Sequence, residues 1–276
     1  MFEFVAAGRI LDGIEFAVGS DGSTNCIKWL DGTVQNWKGA RISCACAFHH
    51  GVICISNLGE VWHLNNHVVE KLPIRINDIA VFGAVSITGN RVIAVGQRGS
   101  FVEINVDDKS LTIRKAKELG FPKPGRDLIN LIALEHGLAA IGKKELIYDF
   151  DDYPTPSGSS NSTGRETFFF DGTEWQDRIW LTGLLGREGV LASYTRSTGN
   201  LEYHDMPDRM AGRAACIATF QGNLVTANRR IFVGGPGDWR LSTTSVHDNI
   251  IAIISGRPNK KPLVVTTAGV FHQIEC

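Results

Sequence analysis

Ile42-SCACAFHHGVICISNLGEVWHLNNHVVEK-Leu72 contains four short β-rich runs separated by three breaks. Ile42-SCACAF and Val52-ICIS are nearly continuous apolar runs, as expected of strands covered on both faces. His49-His50-Gly51 and Asn57-Leu58-Gly59 break the chain between them, and Asn65-Asn66 separates Val61-WHL from His67-VVEKL. Asn and Gly suit tight hairpin turns because they tolerate positive φ. The stretch therefore reads as a four-stranded antiparallel meander, named here from the inside outward.

The second and third runs of this unit recur along the whole chain. The copies start at Ile14, Val52, Val92, Leu138, Val190, Leu224 and Leu263, with spacings of 38, 40, 46, 52, 34 and 39 residues. A β-rich repeat of roughly 40–45 residues is the period of a β-propeller blade. The expected fold is all-β: a single propeller over residues 1–276, with seven blades of about four antiparallel strands. A count of six with one irregular unit stays open. The blades are placed at Phe2–Lys38, Ile42–Leu72 and Ile76–Lys117, then from near Asp127, Trp180, Ala214 and Asn249. The last ends at Phe271-HQIEC, one strand short. Either an outer strand is missing or an N-terminal segment closes the ring.

A second repeat marks outer hairpins. Trp29-LDGTVQNW-Lys38, Phe170-DGTEW-Gln176 and Phe232-VGGPGDW-Arg240 share a strand, a Gly-bearing turn and a Trp. Asp-Gly is a favoured hairpin turn. Trp37, Trp175 and Trp239 are thus expected on outer strands, covering the joints between blades. With the Val-x-Ala-Val-Gly hairpins, this outline resembles the broad group of WD40, YVTN and BNR-like propellers. The spacing at Ser20-Asp21-Gly22 and Asp171-Gly172-Thr173 departs from a true Asp-box, and no blade carries a Gly-His…Trp-Asp pair. The resemblance implies the fold and no particular activity. Diverged propellers of this kind also occur among phage virion and tail proteins, which suggests that setting.

Bulk composition narrows the function. Basic and acidic residues number 28 and 29, for a net charge of -1. Without a concentrated basic face, nucleic-acid binding is not expected. No run of eighteen apolar residues is present, so no membrane-spanning helix is expected. Met1-FEFVAAGRILD-Gly13 lacks a basic leader region, so the expected setting is cytoplasmic, or a virion if the protein is viral. Cys44 and Cys46 alternate on one strand and Cys54 lies across the next hairpin; buried small hydrophobes explain them better than a metal site. No metal and no cofactor is expected.

No catalytic motif stands out: HExxH, G-x-S-x-G and a P-loop are all missing from the sequence. Gly96-Gln97-Arg98-Gly99 joins two strands rather than opening a helix, which argues against phosphate binding. Asp78, Asp127 and Asp248 precede inner strands, and Arg75 and Arg126 stand beside two of them, so these five are candidates for the rim of the central channel. Asp12 and Asp177 are further acids near blade ends, and Arg178, Arg213 and Arg257 further arginines. Paired carboxylates with arginines could hold a sugar; turn-forming Asp is the plainer reading. Residues 151–165, rich in Ser, Gly, Pro and Asp, read as a flexible insertion in the fourth blade. Asp151, Asp152, Tyr153 and Arg165 are its candidate partner-binding residues, since loops on rigid scaffolds often carry binding. The expectation is a non-enzymatic interaction protein, a structural or adaptor subunit of a larger assembly, with a phage virion or tail as the suggested setting. A carbohydrate-binding or glycoside-hydrolase-like propeller, with a glycan as ligand, is the alternative.

Overall fold

The computed structural model describes residues 2–65, 68–87, 90–121, 126–161, 165–207, 216–255 and 260–275. Their strands form seven separate antiparallel sheets. Blade one holds β1 (Glu3–Arg9), β2 (Glu15–Asp21), β3 (Thr24–Trp29) and β4 (Val34–Lys38). Blade two holds β5 (Ile42–Phe48), β6 (Gly51–Ser56), β7 (Glu60–Asn65) and β8 (Val68–Arg75). Blade three holds β9 (Val81–Ile87), β10 (Arg91–Gly96), β11 (Ser100–Asn105) and β12 (Ser110–Lys115). Blade four holds β13 (Leu128–Ala133), β14 (Leu138–Gly142), β15 (Ile147–Asp152) and β16 (Thr155–Asn161). Blade five holds β17 (Thr167–Trp175), β18 (Arg178–Leu185), β19 (Glu188–Thr195) and β20 (Asn200–His204). Blade six holds β21 (Cys216–Phe220), β22 (Asn223–Ala227), β23 (Ile231–Gly234) and β24 (Arg240–Leu241). Blade seven holds β25 (Ile250–Ile254), β26 (Leu263–Thr266) and β27 (Phe271–Gln273). The molecule is a seven-bladed propeller whose last blade has three strands.

The first strand of each blade is innermost, and successive inner strands pack side by side around the ring, β25 closing onto β1. The core is correspondingly divided into layers between neighbouring blades. In β10, Val92 and Ala94 pack toward blade two while Ile93 and Val95 pack toward blade four. Successive strand residues point to opposite faces, so a radial sheet between two neighbours needs an unbroken apolar run.

A β-bulge recurs near the start of the inner strands, at Val5, Ser43, Phe82, Ile129, Phe170 and Ile251. Each bulge presses the inner strand onto the end of the second strand. A Cβ at Gly96 would lie 2.0 Å from the Ala80 carbonyl oxygen, and one at Gly142 2.3 Å from that of Asp127. This close approach accounts for the glycine that ends the Val-x-Ala-Val-Gly run.

Ring closure uses packing and not a shared strand. Phe4 of β1 packs with Ile254 and Val265 of blade seven, and its N–H donates to the Thr267 carbonyl at 3.0 Å. The outer edge of blade seven is covered by hydroxyls. Ser242 Oγ donates to the Glu275 carbonyl at 2.6 Å, and the Glu275 N–H donates to Thr244 Oγ1 at 2.8 Å.

Two sequence expectations are corrected. Phe170-DGTEW is not an outer hairpin: Asp171-Gly172-Thr173 lies within the innermost strand β17, so blade five begins at Thr167, ahead of Trp180. Pairing of eight β17 residues with β18 overrides the local Asp-Gly turn preference. Residues 151–165 do not form an insertion loop throughout, because Thr155–Asn161 is the fourth strand of its blade, paired with β15. Backbone hydrogen bonding along the β15 edge orders a segment with little to bury. Residues 162–164, with most of the Asn161-Ser162-Thr163 sequon, lie outside the described residues, as do Asn66, His67, Arg213, Arg257 and Cys276.

Candidate functional site

Seven inner strands enclose a central channel of about 580 Å³. Each inner strand pairs on one side only, so its free edge turns backbone N–H and C=O groups toward the channel. Above the strand edges, at the end where inner strands begin, the bulge residues Val5, Ser43, Phe82, Ile129, Phe170 and Ile251 form a mostly apolar collar. We call this end the entry face and the opposite end the exit face.

One step further in, the residues after the bulges are Ala6, Cys44, Gly83, Asn130, Asp171 and Ala252, with Cys216 at the same level of β21. Most are small or apolar; the polar ones gather on blades four to six. Asn130 Nδ2 donates to the Phe170 carbonyl at 3.1 Å. Asp171 Oδ1 accepts from the Gly172 N–H at 2.9 Å, and Oδ2 accepts from the Ile217 N–H at 3.0 Å. Each side chain thus satisfies edge groups that no neighbouring strand pairs. Burial in the wall pushes the Asp171 carboxyl up to about 6, against the lowering effect of its two backbone donors. Burial, and then the Asp171 charge, hold the Cys216 thiol well above its ordinary range.

Asp171 and Asn130 were missed as candidates. Asp171 stood in an apparent Asp-Gly turn, and only the pairing with β18 shows it to be within one strand.

The expected rim residues are placed on the entry face but outside the channel lining. Asp127 pairs with Lys143 at 2.7 Å and accepts the Arg98 N–H at 3.1 Å, and the lysine lowers its pKa. Arg75 donates to the Leu58 carbonyl at 3.1 Å, and with Asp78 it borders a separate hollow of about 320 Å³ between blades two and three. Asp248 is exposed and Arg126 half-buried. Asp12 and Asp177 follow inner strands and therefore sit on the exit face, where Asp12 bonds His50 at 2.7 Å. Arg178 begins β18, also at the exit face, and pairs with Glu202 at 2.5 Å. The acids and arginines are thus divided between two faces.

Three of the four expected partner-binding residues border one exit-face groove of about 440 Å³, between blades three and four. Asp152 is exposed there, and Asp151 pairs with Arg196 at 3.0 Å. Arg196 also binds both oxygens of the fully buried Asp149, at 3.0 and 2.8 Å. Tyr153 is turned inward, only 3% exposed, against Phe101 and Phe150. Burial is the reason: its ring completes the layer between blades three and four. Arg165 lies over the Tyr203 ring at 5.7 Å, away from that groove.

The cysteines behave as small hydrophobes. Cys44 and Cys46 share the layer toward blade three, and Cys54 lies in the layer toward blade one. Burial pushes Cys44 up to about 12 and raises the other two as well. Among the described residues, no group of three or more His, Cys, Asp or Glu is placed to hold a metal ion. No helix among them is long and apolar enough to cross a membrane.

No family model matches the chain, and no curated protein matches it in sequence. Solved structures do match in shape. A catalytically inactive virginiamycin B lyase from Staphylococcus aureus, with quinupristin, aligns at TM-score 0.79 and 11% identity, over 100% of this chain and 95% of that one. The WD40 repeats of RRP9 align at 0.72 and 10%, over 96% and 88%. BamB from Moraxella catarrhalis aligns at 0.65 and 12%, over 98% and 82%. At such identities the likeness is one of fold, and the chain is a diverged seven-bladed β-propeller.

Proposed function

We propose that the chain is a non-enzymatic interaction propeller, a structural or adaptor subunit of a larger assembly, with a virion or tail particle as the assembly to test first. The observation that carries this reading is the exit face of blades one and two. Leu11, Leu30, Val34 and Val68 stand there 64, 45, 49 and 56% exposed. They occupy strand ends and turns of neighbouring blades, and the Leu11 N–H donates to the carbonyl of the exposed His49 at 3.0 Å. Large apolar side chains gathered on one face of a soluble-type fold mark a contact surface. The fold does not choose among functions, since structures of the same shape include a lyase and WD40 repeats.

The test is the native mass of the particle containing the chain, with its components identified by mass spectrometry. We expect a stoichiometric assembly well above the mass of one chain. The double variant Leu11→Asp/Leu30→Asp should leave it while its melting temperature changes little, because exposed substitutions usually cost within about 0.5 kcal/mol. A protein that runs alone and is retained on a glycan array would replace this reading with the carbohydrate-binding one.

A further inference from the structure

We infer that the entry mouth of the central channel binds a small cationic amphiphile, its ammonium group held by Asp171 and its apolar body seated in the bulge collar. This goes beyond the proposed assembly role and uses the opposite face of the molecule.

The apolar half of the site comes from the bulges. A bulge re-aims side chains and bends its strand. Here it brings Phe82, Ile129, Phe170 and Ile251 to the channel lining. Phe82, a large aromatic of that lining, is 38% exposed. The polar half comes from the wall. Asp171 is the one carboxylate among the described lining residues, and that lining holds no described Lys, Arg or His. Its oxygens accept one backbone N–H each. An ionised carboxylate offers about four lone-pair sites, so acceptor capacity remains. The carbonyls along the free strand edges add further acceptors. A negative charge with spare acceptor capacity, flanked by edge carbonyls, suits a group with three donors and one positive charge, which is an ammonium. Anions and neutral hydrocarbons each satisfy only part of it.

Protonation is the natural control. The titratable group facing Asp171 from the adjacent inner strand is Cys216, held neutral by its raised pKa; Asn130 and Thr182, on the other elements beside it, do not titrate. The Asp171 carboxyl is raised to about 6, so it is charged above that pH and loses its hold on a cation as pH falls through it.

The experiment is calorimetric titration of the full chain with phenethylammonium and with its uncharged counterpart, phenethyl alcohol. At about pH 8 we expect the ammonium to bind roughly tenfold tighter or better, as one charge-assisted hydrogen bond supplies. At about pH 4.5 that preference should vanish. Asp171→Asn should abolish the preference at about pH 8, and Phe82→Ser should weaken both ligands without abolishing it. Equal affinities at about pH 8, no binding of either, or a preference that survives Asp171→Asn would each overturn the proposal. If Asp171→Asn does not fold, the wild-type pH titration decides alone: an affinity ratio that stays flat across about pH 6 sinks the assignment.

Discussion

At the residue scale, the glycines that face the inner-strand bulges are required by backbone approach and not by turn geometry. Gly96 pairs with Val81 at the bulge of β9, and its missing side chain lets the Ala80 carbonyl come within 2.0 Å of the Cβ position. Gly142 and Gly183 meet Asp127 and Phe168 in the same way, at 2.3 and 2.1 Å. Because the obstructing atom is backbone, it cannot rotate away. Gly96→Ala should therefore destabilise the protein by about 1–3 kcal/mol, as overpacked sites do. Urea unfolding checks this, and an unchanged midpoint would show that the bulge yields. The glycines were legible in the sequence as repeat markers, but their reason was not, because the obstructing carbonyl belongs to a strand about fifteen residues away.

At the element scale, fourth strands tolerate almost any composition. β16 is Thr-Pro-Ser-Gly-Ser-Ser-Asn, a sequence with no strand propensity to speak of, yet it pairs along β15. β24 is two residues long, and blade seven replaces its fourth strand with the Ser242 and Thr244 hydroxyls. Outer strands are held by backbone bonds to an existing edge, so their side chains are free to vary. Inner and second strands are held by packing on both faces, and there the sequence pattern is strict. Deleting Asp152–Gly164 should not act as a clean loop removal. It strips β15 of its partner and removes the buried Tyr153 ring. The expected loss is at least about 3 kcal/mol, on the scale of losing a core aromatic, read by chemical denaturation. A variant as stable as the parent would restore the view of this segment as a dispensable arm.

At the scale of the whole molecule, closure rests on one joint of ordinary packing. Many closed rings could be locked by a strand shared between the chain ends; here β1 is the innermost strand of blade one and β27 the last strand of blade seven. Phe4 therefore matters more than its position near the end of the chain suggests. It fills the layer against Ile254 and Val265, and the Cβ position of Gly269 lies 2.5 Å from its ring. Phe4→Ala should cost about 3 kcal/mol or more, with tryptophan fluorescence and far-ultraviolet circular dichroism still reporting one transition. Separate transitions for the two signals would mean that blades one and seven detach before the rest unfolds.

The sequence by itself determined the blade and its period, because burial on both faces imposes long apolar runs and tight returns at regular spacing; the choice of seven blades over six came from the structure. It also marked Cys44, Cys46 and Cys54 as core. It put the start of blade five too late, since Asp-Gly favours a turn locally and only pairing with β18 shows otherwise. The channel site was decided by tertiary structure alone. Asp171, Asn130 and Cys216 are about forty residues apart along the chain, one per blade, and become neighbours only when the ring closes. The same holds for Tyr153: composition placed it on a surface arm, and packing between two blades placed it in the core. Local pattern is fixed by the faces a strand must bury, whereas the contents of the channel depend on which residues from different blades reach the same height.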